Sequence, residues 1–288
     1  MTRQRTIWLV LILLLLLPLF FIVGGALLAG DGRNGRSGEG ALTVFAAASL
    51  SDAFEAMGRQ FEAAHPDVRV TFNFAGSQQL AQQLAQGAPG DVFASANVQQ
   101  MAAVVESGRI EADAVETFAY NRLVVALPPD NPAGLSRLSD LTRPGVRLAL
   151  ADEAVPAGRY ALTFLERAAE APELGADFEE RALANVVSYE QNVRTVLTKV
   201  ALGEADAGIV YASDAAAAEV ETIEIPEGLN PRASYPMAPL EDAERPALAE
   251  AFVNFVLSDR GQQTMAEFGF IPAGAPGARE AAPEEASP

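Results

Sequence analysis

Four times in this chain an apolar run gives way to small or hydroxyl side chains and then to a helical pattern. These junctions carry most of the chemistry in the sequence. The first is Ala46-Ala47-Ala48-Ser49-Leu50, where three alanines leave the backbone accessible and Ser49 offers a hydroxyl. The second is Phe74-Ala75-Gly76-Ser77, with Ser77 placed to cap the helix after it. The third, Val155-Pro156-Ala157-Gly158, puts a proline in a first helical turn, where its missing amide proton is not needed. The fourth leads from Ser188 to Gln191-Asn192-Val193-Arg194. A helix start exposes backbone N–H groups and the positive end of the peptide dipoles, so each junction suits an anion. Several that converge would hold one ligand from different sides. Taken singly, each also reads as an ordinary helix cap, and spacing alone leaves both readings open.

Catalytic parts are scarce. The chain has no cysteine and one histidine, His65, so Ser-His-Asp, Cys-His and His-rich zinc arrangements cannot be assembled. His65 precedes Pro66 at a helix end, where a solvated role is expected. No phosphate-binding loop ends in Gly-Lys-Ser or Gly-Lys-Thr, and no Rossmann glycine fingerprint follows the first strand. Asp152 and Glu153 are adjacent acids after a strand and read as a solvated turn. An enzyme is therefore not expected, nor a cofactor. Arg159 and Arg194 flank two of the junctions, yet their helical positions predict solvent-facing salt bridges rather than pairing with a bound anion.

These junctions need elements to position them. From Leu42 onward, short apolar runs alternate with amphipathic segments, which implies an α/β protein of parallel strands covered by helices. Strands are expected at Leu42–Ala46, Val68–Phe74, Asp91–Ala94, Leu123–Leu127, Arg147–Leu150, Val186–Ser188, Gly208–Tyr211 and Thr222–Ile225, with a last short one after Tyr235. Helices are expected at Leu50–Ala64, Gln78–Gln86, Val98–Ser107, Ala157–Ala169, Asn192–Leu202, Ala212–Ala217, Arg245–Leu257 and Arg260–Phe268. In the first of these, Phe54, Met57 and Phe61 recur every three or four residues and mark a buried face.

At 288 residues the chain can build two lobes with real cores. A net charge of −18 and a single lysine, Lys199, argue against nucleic acid, whose phosphates are bound by clustered cations. Arg3 and Arg5 precede an uncharged, Leu-rich stretch from Thr6 to Gly30, long enough to span a bilayer. It reads as a leader or an uncleaved anchor that sends the rest of the chain out of the cytoplasm. The Gly-rich run after it reads as a tether, and the Ala-Pro-Glu tail as a solvated end.

Four segments are specific enough for a family resemblance: Thr43-Val44-Phe45-Ala46-Ala47-Ala48-Ser49-Leu50, Gly87-Ala88-Pro89-Gly90-Asp91-Val92-Phe93, Val155-Pro156-Ala157-Gly158-Arg159-Tyr160-Ala161 and Gly208-Ile209-Val210-Tyr211-Ala212-Ser213-Asp214. In order and spacing they resemble the periplasmic molybdate-binding proteins of ABC importers, from about Leu42 to Pro272. The resemblance implies a two-lobed periplasmic-binding-protein fold of type II with the ligand cleft between the lobes. It would divide the chain into a leader or anchor at 1–30, a linker at 31–41, one lobe from 42–120 with 234–273, the other from 121–233, and a tail at 274–288. It implies that the oxyanion is held by the amides and hydroxyls of Ser49 and Ser77, the amides of Ala157 and Val193, and the phenol of Tyr211. Molybdate or tungstate is then the ligand, a membrane permease the partner and a monomer the expected state. Binders of sulfate, thiosulfate or another oxyanion, or a sensor domain that reuses the fold, are the alternatives. Two positions depart from the family pattern: Gly76 stands where a serine is usual, and Gln191 where an acid is usual.

About seven neutral donors would replace the hydration of a dianion without any counter-charge. Such a site admits only a fully deprotonated anion, because an oxyacid proton would face another donor.

Overall fold

The computed structural model describes residues 40–276. The leader or anchor expected at 1–30, most of the linker and most of the acidic tail lie outside the described residues. None of the described helices is long and apolar enough to cross a membrane.

Two sheets organise the chain. The first holds β1 (Ala41–Ala47), β2 (Arg69–Ala75), β3 (Val92–Ala94), β4 (Glu116–Asn121), β10 (Ala233–Pro239) and β11 (Ile271–Pro272), in the order β11-β4-β10-β3-β1-β2. The second holds β5 (Leu123–Leu127), β6 (Leu148–Ala151), β7 (Val186–Glu190), β8 (Ala207–Tyr211) and β9 (Glu221–Glu224), in the order β7-β6-β8-β5-β9. Helices α1 (Ser51–Ala64), α2 (Ser77–Ala85) and α3 (Val98–Glu106) serve the first sheet, as do α8 (Pro246–Leu257) and α9 (Asp259–Glu267). Helices α4 (Pro156–Glu170), α5 (Phe178–Ala184), α6 (Val193–Ala201) and α7 (Ala212–Ala216) serve the second.

The expectation of parallel strands throughout needs correction. In the first sheet β1 runs parallel to β2 and β3, but β10 is antiparallel to β3 and β4, and β11 to β4. In the second, β6 is parallel to β7 and β8, while β5 is antiparallel to β8 and β9. Relative to the parallel cores, β10 and β11 in the first sheet and β5 in the second run in reverse, and β5 and β10 each begin just after a crossing between the sheets. The chain leaves the first sheet through β4, enters the second through β5 after Arg122 alone, and returns through β9 to β10. Asn230 ties the two crossings together, accepting from Leu123 N at 2.9 Å and donating to Leu123 O at 2.8 Å.

The parallel cores β2-β1-β3 and β7-β6-β8 remain. In such sheets all carboxyl ends lie on one edge, and ligands bind there at the point where strand order reverses. That point falls at β1 in the first sheet and at β6 in the second.

Apolar periodicity explains the helices that hold these edges. Phe54, Met57 and Phe61 of α1 are fully buried, and Phe54 and Phe61 meet Phe252 of α8 in edge-on ring contacts at 6.1 and 5.3 Å. In α4, Ala161, Phe164, Leu165 and Ala168 form the buried stripe. A second cluster, including Phe45, Leu80, Leu84 and Met101, packs α2 and α3 on the opposite face of the first sheet.

Strand β4 and helix α5 were not anticipated. The β4 segment, Glu-Thr-Phe-Ala-Tyr-Asn, is too polar to stand out as an apolar run, and α5 buries only Phe178 and Ala182 of its seven residues. His65 is the C-terminal cap of α1, exposed and stacked on Phe61 at 4.2 Å.

Candidate functional site

The four junctions meet. Ala48 and Ser49 form a short 3-10 turn with Leu50 between β1 and α1, so the α-helix starts at Ser51. Gly76 and Ser77 follow β2, Val155 to Ala157 follow β6, and Asn192 and Val193 follow β7. Together with Ala96 beyond β3 and Tyr211 at the end of β8, they line one cleft between the carboxyl ends of the two parallel cores. Ser49, Ser77, Ala157, Val193 and Tyr211 all belong to that lining, and every one of them is less than 5 % exposed.

Capping at these helix starts is unusual in a way that matters. Ala47, Gly76 and Val155 occupy the cap positions of the 3-10 turn, α2 and α4, and none makes a side-chain cap hydrogen bond. Ser77 is thus not the cap expected of it; it is the first residue of α2. Its hydroxyl instead accepts from Ala96 N at 3.0 Å, because that amide, just past β3, faces it. Asn192 does cap α6, but it serves Thr195 N, one turn in, at 3.0 Å. At the 3-10 turn, α2 and α4 no cap side chain competes for the first-turn amides, and at α6 the Asn192 cap engages Thr195 N rather than Val193 N.

The hydroxyls are equally poised. Ser49 Oγ lies 3.0 Å from Tyr235 Oη. The Tyr211 hydroxyl is buried and makes no well-formed hydrogen bond. Burial first, then Tyr235, Tyr160 and Asp214, push its pKa well above that of an ordinary phenol, so it keeps its proton and remains a donor. A buried donor without a partner is costly unless something completes it. The side chains that line the cleft are uncharged, so what the arrangement offers is a shell of neutral donors.

Residues 42–271 match the family of bacterial extracellular solute-binding proteins. The chain belongs to this family. Among relatives of this solute-binding protein, the molybdate-binding protein ModA of Mycobacterium tuberculosis is 39% identical over 244 residues, covering 84% of this chain and 87% of the relative. The molybdate-binding protein ModA of Escherichia coli is 33% identical over 255 residues, covering 86% and 95%. The solved substrate-binding domain of a putative molybdenum ABC transporter from Clostridium difficile superposes with a TM-score of 0.61 at 30% identity, covering 81% of this chain and 98% of that one.

Around the cleft of this solute-binding protein the two lobes touch through side-chain contacts that the sequence did not foretell. Gln78 Nε2 donates to Gln191 O at 2.9 Å and Gln79 Nε2 to Gln191 Oε1 at 3.1 Å. Arg194 needs correction. It is not a solvent-facing residue: its side chain is 28% exposed, and it bridges the lobes, pairing with Asp52 of α1 and with Asp214 of α7 at 2.7 Å. Asp214 has no exposed surface at all, and burial, offset in part by Arg194, raises its pKa to about 7. The Tyr-Ala-Ser-Asp motif contained Asp214, but nothing in it signalled complete burial. Arg159 lies exposed on α4, and Asp152 and Glu153 form the exposed turn expected of them, with Asp152 accepting from Ala154 N.

Proposed function

We propose that this chain is the molybdate-capturing component of an ABC importer, acting outside the cytoplasm and closing its two lobes on a tetrahedral oxyanion. Tungstate, of similar size and equal charge, is included. The observation that carries the reading is the convergence of Ser49, Ser77, Ala157, Val193 and Tyr211, from both sheets, on one uncharged cleft. The names of relatives 39% and 33% identical over most of the chain support the same ligand.

Ser49 and Ser77 would each give an amide and a hydroxyl, Ala157 and Val193 an amide, and Tyr211 its phenol. Neutral donors replace the water shell of a dianion, and their fixed orientation inside a dry cleft makes each hydrogen bond to the charge a strong one. A proton on the ligand would confront a donor, which disfavours phosphate; sulfate is disfavoured by its smaller size. Hinge closure about the paired crossings at Leu123 and Asn230 would bring the halves of the shell together. The closed form is then what a permease recognises, with the N-terminal apolar segment as leader or anchor and the protein acting as a monomer.

Calorimetric titration of the full-length chain in detergent tests this. Tight saturation by molybdate and by tungstate, with no heat from sulfate or phosphate, is expected; no binding of any oxyanion overturns it.

A further inference from the structure

We propose that Tyr235 is a positioning residue that turns the Ser49 hydroxyl into a one-way donor toward the bound anion, and that the oxyanion selectivity of the cleft depends on that imposed direction. This rests on the oxyanion reading above.

A serine hydroxyl has one proton and two lone pairs, so its direction is not set by its position alone. Turned the wrong way, it offers lone pairs to an anion, or accepts the proton of a protonated one. Ser77 is held against this: Ala96 N–H donates to its oxygen at 3.0 Å, and a backbone amide cannot reverse roles. The Ser77 proton is left to point elsewhere.

Ser49 has a side chain in that place, Tyr235 Oη at 3.0 Å, and either oxygen could donate. Chemistry decides between them. A phenol is a much stronger acid than an aliphatic alcohol, hence the better donor and the poorer acceptor. With an anion in the cleft, Tyr235 O–H to Ser49 Oγ, and Ser49 O–H to the ligand, is the arrangement in which each proton goes to the better base.

The surroundings of Tyr235 bias it the same way. Asn121 Oδ1 accepts from Arg122 N at 2.9 Å, which fixes the orientation of the amide and leaves its NH₂ as the end facing inward. That NH₂ donates to Ser213 Oγ at 2.8 Å. Burial above all, then the charge of Asp214, hold the Tyr235 phenol well above its ordinary pKa, with hydrogen bonds involving Ser49 and Asn121 offsetting part of the rise. Tyr235 therefore stays protonated and able to donate at any pH at which the protein works. Donors that feed one another strengthen along the chain. Because Asn121 ends β4 and Tyr235 lies on β10, the strands adjoining the lobe crossings aim the hydroxyl.

A ligand such as hydrogen phosphate needs an acceptor for its own proton. With the Ser49 and Ser77 protons both turned to the ligand, neither hydroxyl presents a lone pair to that proton without giving up its own donation. In Tyr235→Phe, which removes a single oxygen from a fully buried ring, Ser49 can turn and accept that proton.

The test is calorimetry on the full-length chain in detergent, with molybdate as titrant and inorganic phosphate as titrant or competitor. Tyr235→Phe is expected to weaken molybdate about 3- to 10-fold, as for one buried hydrogen bond. Phosphate is expected to bind as before or better, so the molybdate-to-phosphate ratio falls. In a Ser49→Ala background Tyr235→Phe should have no further effect, because it acts through Ser49. An unchanged ratio in Tyr235→Phe, or an equal penalty with and without Ser49, overturns the inference. Should Tyr235→Phe fail to fold, Ser49→Ala alone decides: its ratio must fall, and an unchanged one overturns the inference. Failure of the wild type to prefer molybdate over phosphate would instead sink the oxyanion reading itself.

Discussion

Gly76 and Gln191 face each other across the cleft so closely that a Cβ on Gly76 would lie 2.6 Å from the Gln191 carbonyl oxygen. These are the two positions that the family resemblance set apart in the sequence, and in the fold their backbones come close together. Without a side chain at 76, Gln78 can reach over and donate to that same carbonyl. The departures thus form one interlobe contact rather than two independent losses. Gly76→Ser should push the lobes apart, since a backbone carbonyl cannot swing aside as a side chain can. A loss of about 1–3 kcal/mol in molybdate affinity, the usual cost of overpacking, is expected by calorimetry with little change in the fold. Unchanged affinity would show that the lobes do not close to this spacing on the ligand.

Ser77→Ala and Tyr211→Phe each remove a single donor oxygen from the cleft. Each should cost molybdate affinity about 1.5–3 kcal/mol, the worth of one hydrogen bond to a charged group. Tyr211→Phe should also leave the apo protein as stable as before or more so, because the hydroxyl it removes is buried without a well-formed partner. Comparing thermal unfolding of the apo proteins with ligand titrations separates these two effects, and full affinity in both variants would place the ligand elsewhere.

Arg194 joins α6 to Asp52 on the other lobe and to buried Asp214 on its own. Arg194→Gln leaves Asp214 with no exposed surface and no cation, so a stability loss of about 2 kcal/mol in denaturant unfolding is expected, together with weaker ligand binding. Asp52 is 41% exposed, so Asp52→Asn should cost less than about 1 kcal/mol of stability. Equal effects from the two substitutions would mean that Asp214 does not depend on Arg194.

Asp214 also predicts a pH dependence. Burial raises its pKa, Arg194 lowers it and Asp52 raises it again, leaving it at about 7 against an ordinary 3.8; the phenols of Tyr211 and Tyr235 share its surroundings. Burial would lower Arg194, but Asp214 and Asp52 outweigh it and hold the guanidinium charged. An acid whose pKa rises on folding binds its proton more tightly in the folded state. Its contribution to stability is therefore complete below 3.8 and is lost as pH climbs to about 7. Asp214→Asn removes this slope. Between about pH 5 and 6 its unfolding free energy should fall less steeply than that of the wild type, by up to about 1.4 kcal/mol per pH unit. Parallel curves would show that Asp214 is ionised throughout, paired with Arg194.

The alternation of strand and helix and the four junctions were legible in the sequence. Each depends on residues close together in the chain: apolar period, small residues at strand ends, a proline in a first turn. The reversed directions of β5 and β10 were not legible, because strand direction follows from where the chain crosses between sheets, and nothing local encodes the crossing.

The same division holds at the cleft. By itself the sequence determined that four helix starts, with Ser49, Ser77, Ala157 and Val193 at their first turns, would be rich in free amides and poor in charge. Tertiary structure alone decided that Ser77 would be oriented by Ala96 and Ser49 by Tyr235, 186 residues away, and that Arg194 would turn inward between Asp52 and Asp214. The physical reason is range. An exposed amide follows from the local backbone, but the direction of a hydroxyl proton and the burial of a charge are set by whatever the fold packs against them.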